Sequence, residues 1–341
     1  MLLVLILLNF IIGKELPPLV QAIKDNDYLM IAALLQETDL DVNSKFSLNG
    51  NTVTPLILAI YNNNVRIVEF FLQRTDVDVN SQFLFEGDIF TPLTFAINKN
   101  NFIMVDKILQ RKDVDVNMIS TIKDINIIPL MLAVEMNNIF MVEKILQRPD
   151  VDVNSKTLFY GLGNLTPLML AIHNNNIFMV EKILKRTDVD VNSQFLFEGD
   201  IFTPLTFAVN NDNIYMVDKI LQRKDVDVNM ISTIKDINIT PLMLAVEMNN
   251  IFMAEKILQR SDVDVNSKTL FYGLGNLTPL MLAIDNNNVK MVSILLQRDD
   301  IDIHMETTIN ERELTPLKFA EMNNNKAIVD AIEKYINYKK V

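Results

Sequence analysis

The sequence predicts an all-α solenoid of stacked helix-turn-helix repeats joined by β-hairpin-like fingers. Two regularities carry this expectation. Nine of the eleven prolines (Pro18, Pro55, Pro92, Pro129, Pro167, Pro204, Pro241, Pro279 and Pro316) follow one another at spacings that never differ by more than one position, and a fixed period of roughly 20 to 50 residues marks a repeat architecture. An alanine recurs in phase with them, at Ala22, Ala59, Ala96, Ala133, Ala171, Ala208, Ala245, Ala283 and Ala320, where a small side chain lets neighbouring helices approach closely.

Within each repeat the elements follow from residue chemistry. All repeats but the first and fourth contain Thr-Pro-Leu; the fourth has Ile128-Pro129-Leu130 in its place. Threonine caps a helix N-terminus, and proline at the first helical position gives up an N–H that has no helical partner anyway. Leu56, Ala59 and Ile60 then form one apolar stripe, and Ile67, Val68, Phe71 and Leu72 form the stripe of a second helix. Between the stripes stand Asn63 and Asn64 or their equivalents. The first tolerates a left-handed backbone, and the second caps the next helix. Each repeat closes on a run such as Asp76-Val77-Asp78-Val79-Asn80, whose alternation points valines inward and acids outward. A finger then leads to the next threonine.

With Thr-Pro-Leu, the recurring alanine, an Ile-Val then Leu-rich second helix and a closing Asp-Val-Asn, residues 14 to 341 resemble the ankyrin-repeat family. Three features depart from that family. Its histidine after Thr-Pro-Leu is replaced by residues such as Ile57, Thr94 or Met131, the glycine of its inter-helix turn is an asparagine or Asp212, and the period is four to five residues longer than the usual 33. The resemblance implies a non-catalytic module that binds other proteins. Polar residues at the ends, Gln21 in the first repeat and Glu321 and Glu333 in the last, suit the terminal caps that a solenoid requires.

Composition limits the chemistry. A formal charge of -12 repels phosphate backbones, so nucleic acid is not an expected partner. The chain has no cysteine, which removes disulfides, thiolate zinc sites and cysteine nucleophiles. Its two histidines, His173 and His304, are expected to be structural, because Asp285 replaces the first in the duplicate described below and asparagine takes the place of the second in other repeats. The Asp-x-Asp-x-Asn run resembles half of a calcium loop, but Ser81 and Gly87 stand where glycine and glutamate are needed. No catalytic residue, cofactor, metal site or small-molecule substrate is expected. The methionines of the second helices, Met104 and Met141 among them, are expected to fill the core. Sequons at Asn164, Asn238 and Asn276 borrow the capping threonine of their repeats.

Residues 1 to 13, MLLVLILLNFIIG, are too short an apolar run to span a membrane. They fit the hydrophobic region of a secretory signal peptide, implying export, or an apolar extension packed on the first repeat; an uncleaved segment would be the chain's only membrane contact.

A longer period lies above the first. Residues 81 to 175 reappear as 193 to 287 with nine substitutions, so three repeats were duplicated as a block. Six changes, including Lys99 to Asn211, Asn100 to Asp212 and His173 to Asp285, fall near the inter-helix turns, either tuning a binding edge or drifting at tolerant positions.

The leading functional expectation is a monomeric scaffold for a protein partner, itself elongated or repetitive to match the duplicated surface. Finger aromatics, if exposed, are the anchors: Phe83, Phe85, Phe90, Phe159, Tyr160, Phe195, Phe197, Phe202, Phe271 and Tyr272. The variable helix-one ends Tyr61, Asn98, Glu135, His173, Asn210, Glu247 and Asp285 complete the surface. Packing of alternate finger residues on neighbouring fingers is the competing expectation for the aromatics. A structural or membrane-anchored spacer is the competing expectation for the chain.

Overall fold

The computed structural model describes residues 17–339 except 49, 160, 272, 273, 310 and 311. The apolar segment 1–13, Tyr160 and Tyr272 lie outside the described residues. The chain divides into two compact units, Met1–Leu158 and Phe159–Val341.

In the first unit, helix pairs alternate with β-hairpins. The order is α1 (Pro18–Asp25), α2 (Tyr28–Leu34), β1 (Phe46–Leu48), β2 (Asn51–Val53), α3 (Pro55–Tyr61), α4 (Val65–Leu72), β3 (Phe83–Phe85), β4 (Asp88–Phe90), α5 (Pro92–Asn98), α6 (Phe102–Leu109), β5 (Ser120–Ile122), β6 (Ile125–Ile127), α7 (Pro129–Glu135) and α8 (Ile139–Leu146). The short strand β7 (Thr157–Phe159) holds the division between the units. The second unit continues with β8 (Gly163–Leu165), α9 (Pro167–His173), α10 (Ile177–Leu184), β9 (Phe195–Phe197), β10 (Asp200–Phe202), α11 (Pro204–Asn210), α12 (Ile214–Leu221), β11 (Ser232–Ile234), β12 (Ile237–Ile239), α13 (Pro241–Glu247) and α14 (Ile251–Leu258). It ends with β13 (Thr269–Phe271), β14 (Gly275–Leu277), α15 (Pro279–Asp285), α16 (Val289–Leu295), β15 (Thr307–Ile309), β16 (Arg312–Leu314), α17 (Pro316–Met322) and α18 (Lys326–Lys339).

The capping chemistry works as the sequence predicts. Thr54 Oγ1 accepts from the Ile57 N–H, and Asn64 Oδ1 accepts from the Ile67 N–H. Ile128 starts α7 with no side-chain cap. Asn63, at φ 57°, makes the left-handed turn that other sequences give to glycine. The recurring alanines are buried between helices, and Met104, Met141, Met179, Met216 and Met253 are buried in the core.

Three side-chain ladders tie each repeat to the next within a unit. The asparagine capping each second helix reaches back one repeat: the Asn64 carboxamide donates to Asn26 Oδ1 at 2.7 Å, and Asn138 donates to Asn100 Oδ1 at 2.8 Å. The closing asparagine reaches forward. Asn80 donates to the Asp113 carbonyl at 2.7 Å and accepts from the Asp115 N–H at 2.8 Å, so the calcium-like run is an inter-repeat clamp. Arginine supplies the third ladder. Arg111 donates to the carbonyls of Leu72 and Arg74 at the end of the preceding second helix, while its Nε and Nη2 hold Asp113. Helix carbonyls without helical partners are thereby satisfied by a cation, which also suits the negative end of the helix dipole.

Neighbouring fingers join in places but not into the one continuous sheet of the competing expectation, and β1 and β2 form a two-stranded sheet of their own. Strands β3 to β6 form one antiparallel sheet, β9 to β12 a second and β13 to β16 a third. Two glycines permit close approach in the second unit. A Cβ on Gly163 (φ 92°) would stand 2.1 Å from the Leu196 carbonyl oxygen, and one on Gly275 (φ 114°) equally close to that of Thr308.

Candidate functional site: the hairpins and the ends of the first helices

The finger aromatics are not exposed anchors. Phe83, Phe85, Phe90, Phe159, Phe195, Phe202 and Phe271 are buried and Phe197 is half-buried. The physical reason is a partner on the adjoining helix. The Phe95 ring of α5 lies 5.2 Å from Phe83, 5.1 Å from Phe85 and 5.2 Å from Phe90, within the range of favourable tilted and edge contacts. Phe207 of α11 repeats the arrangement with Phe195, Phe197 and Phe202 at 5.0 to 5.2 Å. The strand period of two then turns the intervening residues outward. Leu84 is 55% exposed, and Leu158, Leu196 and Leu270 are similarly open, together with Ile119 and Ile231. In the first two joined sheets Leu84 pairs with Ile89, and Leu196 with Ile201. Each of these two sheets therefore presents an outward apolar pair at the position where aromatics had been expected.

The first-helix ends remain at the surface. Tyr61, Asn98, Glu135, Asn210 and Glu247 are exposed, whereas His173 and Asp285 are half-buried. Tyr61 packs its ring 5.4 Å from Phe85, so the hairpin base and the helix end meet there. Desolvation, then the charge of Asp285, pushes the Glu247 carboxyl above its usual range, with Lys235 opposing; desolvation also raises Asp285.

A second exposed row went unnoticed in the sequence. The second residue of the second helices is Ile103 and Phe140 in one unit and Phe178, Tyr215 and Phe252 in the other, all more than half exposed. The signal was available. Ile103, Phe140, Phe178, Tyr215 and Phe252 share one phase of the repeat, directly before the buried methionine, and lie outside the stripe formed by that methionine, the residue after it and the pair one turn later.

Among the described residues, nothing brings acid–base groups into a catalytic arrangement around either histidine. His173 sits among rings, 5.3 Å from Phe197 and 6.5 Å from Phe207. His304 is exposed on its loop. Among the described residues no group of three histidine, aspartate or glutamate side chains is placed to hold a metal. No helix among them is long and apolar enough to cross a membrane.

The family models agree with the stacked pairs and hairpins. A model described as ankyrin repeats (3 copies) matches residues 93–195, 130–232, 168–269 and 242–340, and one described as ankyrin repeats (many copies) matches 19–72. The chain belongs to the ankyrin-repeat family. Such repeats are in general protein–protein interaction modules and are typically non-catalytic. No curated protein matches this chain.

Proposed function

We propose that this ankyrin-repeat protein is a non-catalytic scaffold holding a protein partner along its hairpins and the ends of its first helices. The observation that carries this is the large apolar side chain left in solvent at one position of four hairpins, Leu84 and Leu158 in one unit and Leu196 and Leu270 in the other. A solvated loop gains nothing from them, whereas exposed apolar patches rimmed by polar groups mark interaction sites. The ends of the first helices add mostly polar positions that differ from repeat to repeat while the packed core beneath keeps one pattern. A duplicated surface in two blocks suits an elongated or repetitive partner, bound by a monomer of this chain.

The second-helix row containing Phe140 and Phe252 offers a competing surface of comparable exposure. Leu84→Ser combined with Leu196→Ser discriminates between the two in a quantitative affinity capture. We expect captured partner to fall about tenfold with an unchanged thermal midpoint, because two partly exposed anchors together contribute about 1.4 kcal/mol or more. Undiminished capture by that variant, with loss in Phe140→Ser/Phe252→Ser, would transfer the interface to the second helices.

A further inference from the structure

Positions of the same repeat phase can be compared between the two units at the junction of hairpin and first helix. In the first unit the Lys99 ammonium, one residue past the end of α5, lies over three rings: 5.1 Å from Tyr61, 5.2 Å from Phe95 and 5.6 Å from Phe85. These distances fall within the range of cation–π attraction. The chain thus fills an aromatic cage with its own lysine.

The corresponding positions in the second unit are His173, Phe207, Phe197 and Asn211. Here the two phenylalanines remain, His173 stands in place of the tyrosine, and the ammonium is missing. His173 lies 5.3 Å from Phe197, close to the 5.4 Å between Tyr61 and Phe85. Phe197 and Phe207 are 5.0 Å apart, against 5.1 Å for Phe85 and Phe95. The imidazole of His173 is nearly parallel to Phe207, at 12°. Asn211 carries no charge, and its side chain is too short to place a donor where the lysine ammonium would be. Exposure changes accordingly: Phe85 is buried, whereas Phe197 is only half-buried.

We propose that the His173–Phe197–Phe207 cage receives a lysine side chain from the protein partner, in the place that Lys99 occupies in the first unit. The inference rests on the hairpin and helix-end surface being the binding surface, and it adds the chemistry of one contact. The observation that commits the site to lysine is internal. A phenol and two phenylalanine rings hold an unmodified ammonium in the first unit, and in the second the two phenylalanines keep their spacing beside an imidazole while the lysine is gone. Partner residues that suit this site carry a flexible chain ending in a compact cation. The first unit, plugged by Lys99, would not take one.

The test uses the full chain and Nα-acetyl-lysine methylamide as probe, followed by proton NMR of the lysine ε-methylene, with the uncharged norleucine analogue as control. Ring currents in the cage should shift the ε-methylene upfield in a saturable manner, and the norleucine analogue should bind about 5- to 30-fold more weakly. Asn211→Lys, a change at an exposed position, should abolish the shift by plugging the cage from within. Lys99→Asn should do the opposite and raise the number of sites from one to two. Equal binding of the norleucine analogue, an unaltered titration in Asn211→Lys, or no saturable shift at all overturns the proposal. The titration needs no partner. A negative result beside a capture that still depends on Leu84 and Leu196 therefore removes the cage alone and leaves the wider surface standing.

Discussion

Adjacent residues of one strand, Phe85 and Leu84, separate packing from recognition. Phe85 is 5% exposed and touches the rings of Tyr61 and Phe95, whereas Leu84 is 55% exposed on the opposite face of β3. Truncating a buried phenylalanine removes its transfer free energy and leaves a cavity, a loss of about 3–5 kcal/mol. Truncating an exposed leucine changes stability by less than about 0.5 kcal/mol. Because a repeat contacts only its neighbours, the loss in Phe85→Ala should be felt first where the β3–β4 hairpin meets α5. Hydrogen exchange at amides of that sheet should therefore accelerate before the second unit responds, and urea unfolding should shift to lower denaturant in Phe85→Ala but not in Leu84→Ala. Equal and small effects from both substitutions would refute the aromatic core and return the phenylalanines to the surface role first expected of them.

Other substitutions test the remaining features. Gly275→Ala places a methyl group 2.1 Å from the Thr308 carbonyl oxygen at a backbone φ of 114°; it should separate the β14 and β15 hairpins and cost at least about 1–2 kcal/mol, whereas Gly87→Ala, with the same kind of φ and open space around it, should cost only the conformational part. Arg111→Met leaves the Leu72 and Arg74 carbonyls without their donor and should cost about 2–3 kcal/mol; Arg111→Lys should recover little, since an ammonium cannot span two carbonyls and a carboxylate together. Acid titration probes the same ladder. The hydrogen bond from Arg111 is the main cause holding Asp113 below the usual carboxylate range, and Arg148, Arg223 and Arg260 do the same for Asp150, Asp225 and Asp262. A lowered folded-state value stabilises fully above the unfolded value of about 3.9 and ceases to as pH falls through the folded one. The thermal midpoint should thus be flat near neutrality and drop below about pH 4, with a shallower drop in Arg111→Met; an acid-insensitive midpoint in the unsubstituted chain would mean that the pairs are open in solution.

The repeat, its helix pair and its caps were legible because each rests on a local rule: proline at a helix start, threonine or asparagine before it, a stripe of apolar residues within it. The finger aromatics were misjudged because their fate depends on a residue in the next element. Phe83-Leu84-Phe85 alternates as a strand should, but the strand alone does not say which face meets the helix; Phe95 decides that, and its pairing with the hairpin is a tertiary fact. The asparagine ladders were half legible. Asn64 was predicted as a cap and is one, but its second bond, to Asn26 of the preceding repeat, joins positions far apart in the chain that only stacking brings together.

These ladders also sort the substitutions between the duplicated blocks. Asn100 accepts a hydrogen bond from Asn138, and its counterpart Asp212 accepts one from Asn250. The exchange of carboxamide for carboxylate thus keeps the acceptor oxygen that the rung needs. Ile97 to Val209 keeps a buried aliphatic side chain in the core. Lys99 to Asn211 is under neither constraint, because Lys99 serves no rung among the described residues and its ammonium lies over the cage rings. Tyr61 and His173, equivalent positions in the two units, likewise differ at an end of a first helix where no ladder passes. The ladders therefore leave the end of the first helix beside the hairpin free to change. Divergence there changes what the surface can hold without disturbing how the repeats stack, which is the physical condition under which a duplicated block can acquire a second specificity.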